Sequence, residues 1–328
     1  MKPVYLDYNA TTPIDPEVAE VMKPYLVDFF GNPSSSRWYG VQTKKGIETA
    51  RSQVANLLGC QPDEIVFTSG GSESNNYAIK GAAFANRIKG NHIITSAIEH
   101  PAVTEVCRYL EHEQFRVTYL PVDEWGLVDM VKLKESVTPQ TILISLMHAN
   151  NEVGTIQPIS DISELARQNG IIIHTDAAQS VGKIPAGVNE LGVDLLSVAG
   201  HKLYAPKGIG ALFIRKGTDL EKLIHGASHE HNKRAGTENV LGIVGLGKAC
   251  EIAKRDLTKN MAHMKSMRDR LYRGLQERVG EIRLNGHREK RLPNTLSVGF
   301  PNIEADKYLL NIKGVAASAG AACHAGHA

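Results

Sequence analysis

Cysteine is scarce in this chain: four in 328 residues, at positions 60, 107, 250 and 323, far apart and with no C-x-x-C pair. That spacing supports no disulfide framework and fits a reducing compartment. An excess of charge of either sign is missing as well. Thirty-seven lysines and arginines stand against 35 aspartates and glutamates, for a formal net charge of +2. The basic residues are scattered rather than clustered, so no polyanion-binding face and no nucleic-acid partner are expected. No apolar run is long enough to cross a bilayer, and the opening MKPVYLDYNATT has no apolar stretch of secretory-leader length. Internal repeats and low-complexity tracts are absent too. These absences together predict a soluble, cytoplasmic protein with no membrane partner. What is present, 42% hydrophobic and 22% charged residues, suffices for one large domain or a large one with a small companion.

From about residue 63 to about residue 215, short β-rich runs alternate with helical stretches. The runs are EIVFTS (64–69), HIITS (92–96), FRVTYLPV (115–122), TILISLM (141–147), GIIIHTD (170–176), DLLSVA (194–199) and GALFIR (210–215). Helical spacing covers 72–88 and 159–170, the latter closed by a glycine at the expected stop. Such alternation implies βαβ crossovers and a mostly parallel sheet covered on both faces, an α/β fold. After residue 240 the texture changes. A charged helix is predicted over about 247–279, then the short strands EIRLN and NTLSVGF and a helix near 304–312. This reads as a second, smaller α+β domain.

Ligands of open α/β sheets bind at the carboxyl ends of the strands. Four of the predicted strand ends carry chemistry. In TSGGSESNN, Gly70, Gly71 and Ser72 open a helix whose first N–H groups favour an anion such as phosphate, although a serine there is also an ordinary cap. In HTDAAQ, Asp176 ends an apolar strand, where a carboxylate needs a cation or donor unless it is only a helix cap. MHANNEVG ends its strand in Asn150 and Asn151, which simple turn chemistry would also explain. Finally, SVAGHKLYAPKGIG places Lys202 after a buried strand. A phosphate cradle, a strand-end aspartate and a strand-end lysine are together the groups that pyridoxal 5′-phosphate requires. A desolvated lysine flanked by His201 loses its proton readily and can condense with the cofactor's aldehyde. Asp176 would hold the proton on the ring nitrogen. His100, in SAIEHPAV, is placed to lie over the ring, and Gln179 to donate to the ring hydroxyl.

The segments YLDYNATTP (5–13), FGNPSS (30–35), VFTSGGSESNN (66–76), EH (99–100), NNEVG (150–154), HTDAAQSVGK (174–183), GHKLYAPKGIG (200–210), RAGTEN (234–239), LPNTLSV (292–298) and SAGAAC (318–323) follow in order along the chain. In this the sequence resembles the NifS-like cysteine desulfurases, enzymes of the class V aminotransferase fold, from residue 4 to residue 324. The resemblance implies pyridoxal-phosphate-dependent transferase fold type I. Residues 14–245 would form the large cofactor-binding domain, and 1–13 with 246–328 the small α+β domain. It implies a homodimer in which Lys202 anchors the cofactor, Asp176 pairs with the ring nitrogen, Gln179 serves the hydroxyl and His100 stacks on the ring and moves protons. Gly71, Ser72 and His201 would hold the phosphate, joined by Thr237 from the neighbouring subunit. Asn151 would contact the cofactor and the substrate carboxylate.

L-cysteine is the implied substrate, and Cys323 the thiol that takes its sulfur as a persulfide and hands it to an acceptor or scaffold protein, as in iron–sulfur cluster assembly. Cys60, Cys107 and Cys250 sit in apolar or helical contexts and read as structural. Cys323, His324 and His327, even with His229 and His231, match no standard zinc spacing, so no metal is expected. Ala199, Arg37 and the stretch 226–231 depart from the family pattern. GAACH also resembles selenocysteine lyases, which makes release of selenide an alternative. The family continues beyond the position of residue 328, with an arginine for the substrate carboxylate. A non-catalytic or partner-dependent sulfur-transfer subunit is therefore a further alternative.

Overall fold

Seven β-rich runs pair into one sheet because their side chains alternate between two apolar layers. The computed structural model describes residues 2–320. Its strands are β1 (Val4–Tyr5), β2 (Ile65–Thr68), β3 (His92–Ser96), β4 (Arg116–Leu120), β5 (Thr141–Ser145), β6 (Ile172–Asp176), β7 (Leu195–Ala199), β8 (Gly210–Ile214), β9 (Arg283–Leu284), β10 (Val298–Gly299) and β11 (Val315–Ala316). The helices are α1 (Pro16–Met22), α2 (Pro24–Val27), α3 (Trp38–Leu58), α4 (Gly71–Ala85), α5 (Pro101–His112), α6 (Met130–Ser136), α7 (Ile159–Gln168), α8 (Val188–Leu191), α9 (Val240–Val279) and α10 (Ala305–Asn311). The large sheet has the order β2-β8-β7-β6-β5-β3-β4. Strands β4, β3, β5, β6 and β7 are parallel, and only β8 runs against its neighbours.

Period-two alternation explains the two cores. Ile65 and Phe67 of β2, Leu196 and Val198 of β7, and Ala211 and Phe213 of β8 face one layer, with α3, α7 and the start of α9. Val66, Leu195, Leu212 and Ile214 face the other, with α4 and α5. Every residue of β5 and β7 is buried, as a sheet covered on both faces demands. The edge strand β4 is polar and partly open, with an exposed Arg116 at its start.

Helix α9 begins seven residues before its predicted start. Asn239 caps it by accepting from the Gly242 N–H at 3.1 Å. The glycines of VLGIVGLG, poor helix formers, serve packing. A Cβ at Gly247 would stand 2.5 Å from Ala50 of α3, so the two helices meet where neither has bulk. Beyond the large sheet, β1 pairs in parallel with β11, and β9 antiparallel with β10. The segment before β10 is tied to the loop after β5, with Leu292 N–H donating to Gly154 O at 2.8 Å and Ile156 N–H to Lys290 O at 2.9 Å. Among the described residues no helix is long and apolar enough to cross a membrane.

Candidate active site

Strands β6 and β7 are parallel neighbours, with Asp176 in register with Ser197. Their carboxyl ends therefore release two loops side by side. The first carries Asp176, Gln179 and Lys183; the second is the tight turn Gly200–Lys202. Lys202 comes not at the strand's last residue but three residues on, and it is half-buried rather than fully buried. Stepping off β7 frees the amine from the ladder and turns it toward residues 9 and 10.

Asp176 is buried and fully engaged. Its Oδ2 accepts from Asn75 Nδ2 at 2.7 Å and its Oδ1 from the Ala178 N–H at 2.9 Å. It caps a turn and also meets a donor from α4, so the cap reading alone is insufficient. Lys202 Nζ donates to the carbonyl of Asn9 and to that of Ala10, the latter at 2.8 Å. Gln179 Nε2 donates to the same Asn9 carbonyl at 2.9 Å, and its Oε1 accepts from Lys183 Nζ at 2.8 Å. One carbonyl oxygen thus brings the Gln179 amide nitrogen next to the Lys202 amine.

His201 lies half-buried behind them, its Nδ1 3.1 Å from Thr11 Oγ1. Burial, then the charges of Lys202, Lys207 and Lys183, push its pKa down to about 4, so the ring is neutral at physiological pH. Beneath the sheet ends, His174 bridges Ser145 and Ser197 at 2.8 and 3.0 Å, and burial pushes its pKa down to about 3. His148 is held by Ser180 at 2.9 Å and is pushed down to about 4 for the same reason.

His100 is the N-cap of α5. Its Nδ1 accepts from the Ala102 N–H at 3.0 Å, which leaves the ring proton of the neutral form on Nε2. Its neighbour Glu99 is buried, accepting from Ser96 Oγ at 2.5 Å and the Met147 N–H at 3.0 Å. Burial, with a contribution from the Asp176 charge, raises the Glu99 pKa to about 8.

Gly71 is the first residue of α4 and Ser72, exposed, the second. Gly70 before them has φ +153°, a conformation that favours glycine, and a Cβ at Gly210 would strike the Gly70 Cα at 2.7 Å. The first N–H groups of such a helix have no acceptor within it and point at whatever lies beyond. Glu73, one residue on, accepts from the Ser69 N–H at 2.8 Å and from Arg234 Nε at 2.9 Å. That ion pair ties the RAGTEN loop to the α4 start, with Thr237 exposed three residues later.

Asn150 and Asn151 have separate tasks. Asn150 Oδ1 accepts from the N–H groups of Glu152 and Val153, both at 2.9 Å, which is turn chemistry. Asn151 is half-buried, and its carbonyl accepts from Asn9 Nδ2 at 3.1 Å. Cys323 lies outside the described residues. The thiols of Cys60, Cys107 and Cys250 are all pushed up to about 12 by burial, so none of the three supplies a thiolate at neutral pH.

Four residues of this site escaped the sequence reading: Asn9, Asn75, Glu99 and Lys183. Asn9 is a hub, since besides its carbonyl its side chain bonds Thr295 Oγ1 at 3.0 Å and Asn294 Nδ2 at 2.8 Å. The polar run YNATT was the available signal for it.

The class V aminotransferase profile matches residues 4–327 of the chain. The cysteine desulfurase IscS of Dictyoglomus turgidum is 54% identical over 322 residues, covering 98% of this chain and 82% of the relative. That of Methanosarcina thermophila is 51% identical over 325 residues, covering 98% and 80%. Among solved structures, one named NIFS-LIKE PROTEIN superposes with a TM-score of 0.92 at 42% identity, covering 95% of this chain and 86% of that one. Another, SspA in complex with cysteine, gives 0.87 at 39% identity, covering 98% and 90%.

Proposed function

The chain belongs to the class V aminotransferase family, among its NifS-like cysteine desulfurases, and on that premise we propose that it takes the sulfur from L-cysteine and leaves L-alanine, using pyridoxal 5′-phosphate held on Lys202. The observation that carries this reading is the convergence of Lys202 Nζ and Gln179 Nε2 on the Asn9 carbonyl, in the loops flanking Asp176. The aldehyde and the hydroxyl of this cofactor are neighbours on its ring, so an amine and an amide donor side by side fit the pair. A carboxylate held by Asn75 fits the ring nitrogen, and the open start of α4 fits the phosphate. When bound, the group supplies an electron sink for the substrate's α-carbon.

The chain's own residues do the rest. Asp176 keeps the ring nitrogen protonated, and Asn75 holds that carboxylate in place. Lys202 Nζ anchors the group and, once released by substrate, moves the proton at the α-carbon. Neutral His201 adds no cation behind Lys202, and Gly71, Ser72 and His201 take the phosphate. His100, fixed by its cap bond, stacks on the ring and shuttles a proton through Nε2, while Asn151 orients the substrate carboxylate. The Cys323 thiolate attacks the substrate sulfur. The Cβ–Sγ bond breaks, an S–S bond forms, and the carbon takes up a proton to become the alanine methyl. An acceptor protein then receives the sulfur.

The protein acts as a cytoplasmic homodimer in which Thr237 reaches the partner's phosphate. Residues 14–245 carry the cofactor, and 1–13 join 246–328 in the smaller domain, a division supported by the β1–β11 pairing. The test is alanine release by the cofactor-loaded protein from L-cysteine and, separately, from selenocysteine. Alanine and a persulfide from cysteine support the reading. Alanine from selenocysteine alone replaces it with a lyase, and alanine from neither overturns it.

A further inference from the structure

Lys183 is a second lysine at the strand-end site, and the reaction as described makes no use of it. It is only 6% exposed. Its Nζ meets an amide oxygen, Gln179 Oε1 at 2.8 Å, where a buried ammonium would ordinarily meet a carboxylate. Burial, then the charge of Lys202, pushes its pKa down to about 7. A methionine would fill the same space without the desolvation cost of an amine. The amine therefore has a task, and its one described hydrogen bond says which residue it acts on.

The two ends of a glutamine amide are nearly equal in shape and differ only in what they donate or accept. Lys183 donates, so the end it holds is Oε1. The other end, Nε2, then points at the Asn9 carbonyl, beside Lys202. The hydrogen bonds form an unbroken chain, Lys183 to Gln179 to Asn9 to Lys202. We propose that Lys183 is a positioning residue: it locks the Gln179 amide so that a donor, never an acceptor, faces the ring hydroxyl of the cofactor. This rests on the functional reading above. The titratable groups facing Lys183, among the described residues, are Lys202 and His201, both on the turn after β7.

The test is a spectrophotometric pH titration of the bound cofactor's visible band in the holoenzyme. Losing a donor to the ring oxygen raises the midpoint of that band. Lys183→Met should therefore move it up by about one unit, which is a tenfold change in proton affinity. Gln179→Ala should also raise it, and the double variant should match Gln179→Ala alone, because Lys183 acts through Gln179. Lys183→Gln keeps an N–H donor, so its midpoint should stay near that of the unsubstituted protein. It also serves if the methionine variant fails to fold.

An unmoved midpoint in Lys183→Met, with only a lower melting temperature, makes Lys183 a packing residue and overturns the proposal. So do additive shifts in the double variant, or a Lys183→Gln midpoint as far displaced as that of Gln179→Ala. If the unsubstituted protein develops no visible band with pyridoxal phosphate, the functional reading fails first and takes this inference with it.

Discussion

The carboxyl rim of the large sheet and the outer half of α9 are both rich in polar side chains, and they treat them in opposite ways. At the rim, Asp176, Gln179 and Lys183 are buried and each is held by a named partner. Along α9 past Ala253 most charges face water, Arg268 being an inward exception that donates to Leu292 O at 2.8 Å. Arg255 reaches Glu17 and Asp256 at 2.9 and 2.8 Å, but about half of its side chain stays exposed. The buried pair Arg51–Glu230 shows the rim's rule at its strictest: two 2.8 Å bonds, Ile65 O accepting from Arg51, and the Phe67 N–H donating to Glu230. Glu230 holds this place on a left-handed run, with φ of 47°, 54° and 62° at Glu230, His231 and Asn232. A polar group in water has many partners and no fixed position; a buried one has few and is placed by them. Chemistry that needs fixed geometry belongs at the rim.

The contrast can be broken by substitution, and the largest effect falls on turnover. Asp176→Ala should retain cofactor but lose activity by 10²-fold or more, on the order of what a positioned electrostatic partner contributes; steady-state alanine release measures it. Unchanged turnover would reduce Asp176 to a turn cap. Next comes stability. Arg51→Met leaves the Glu230 charge buried without its cation and should cost roughly 3 kcal/mol in denaturant unfolding. A loss too small to measure would mean that water reaches the pair.

The pH dependence sharpens the same point. His148 and His174 have folded-state pKa values lowered to about 4 and about 3, against 6.5 for an ordinary histidine. Below about pH 6.5 the unfolded chain takes up protons that the folded one refuses, so stability should fall as pH drops from 6.5 toward 4. Replacing His174 with phenylalanine should flatten that slope in thermal melts recorded across the range. Smallest of all is Arg255→Ala on the outer face of α9, which should leave the melting temperature unchanged within error.

Much of this was legible from the sequence, and the illegible parts share a cause. Strands β3, β6 and β7 end within a residue of their expected limits because apolar runs closing on Ser96, Asp176 and Ala199 carry both the period and the stop. Asp176 stood out as a polar group at an apolar strand end, and Gln179 and Lys202 as polar groups shortly after such ends. The first seven residues of α9 did not, because Gly242 and Gly245 lower helix propensity, Gly245 while allowing close approach to Pro206 and Met22. The role of Asn9 lies partly in its backbone carbonyl, and a carbonyl has no side-chain signature. Asn75 reads as one more polar residue in a helix, and Lys183 as a loop lysine like any on the surface. Only the folded arrangement shows that both are buried against the site.

The central claim is that the rim's buried polar network exists to hold a cofactor on one lysine. Borohydride reduction of the cofactor-loaded protein, followed by peptide mass mapping, tests it directly. The account predicts the pyridoxyl label on Lys202 in the peptide spanning the β7–β8 turn; a label on Lys183 or any other lysine contradicts it.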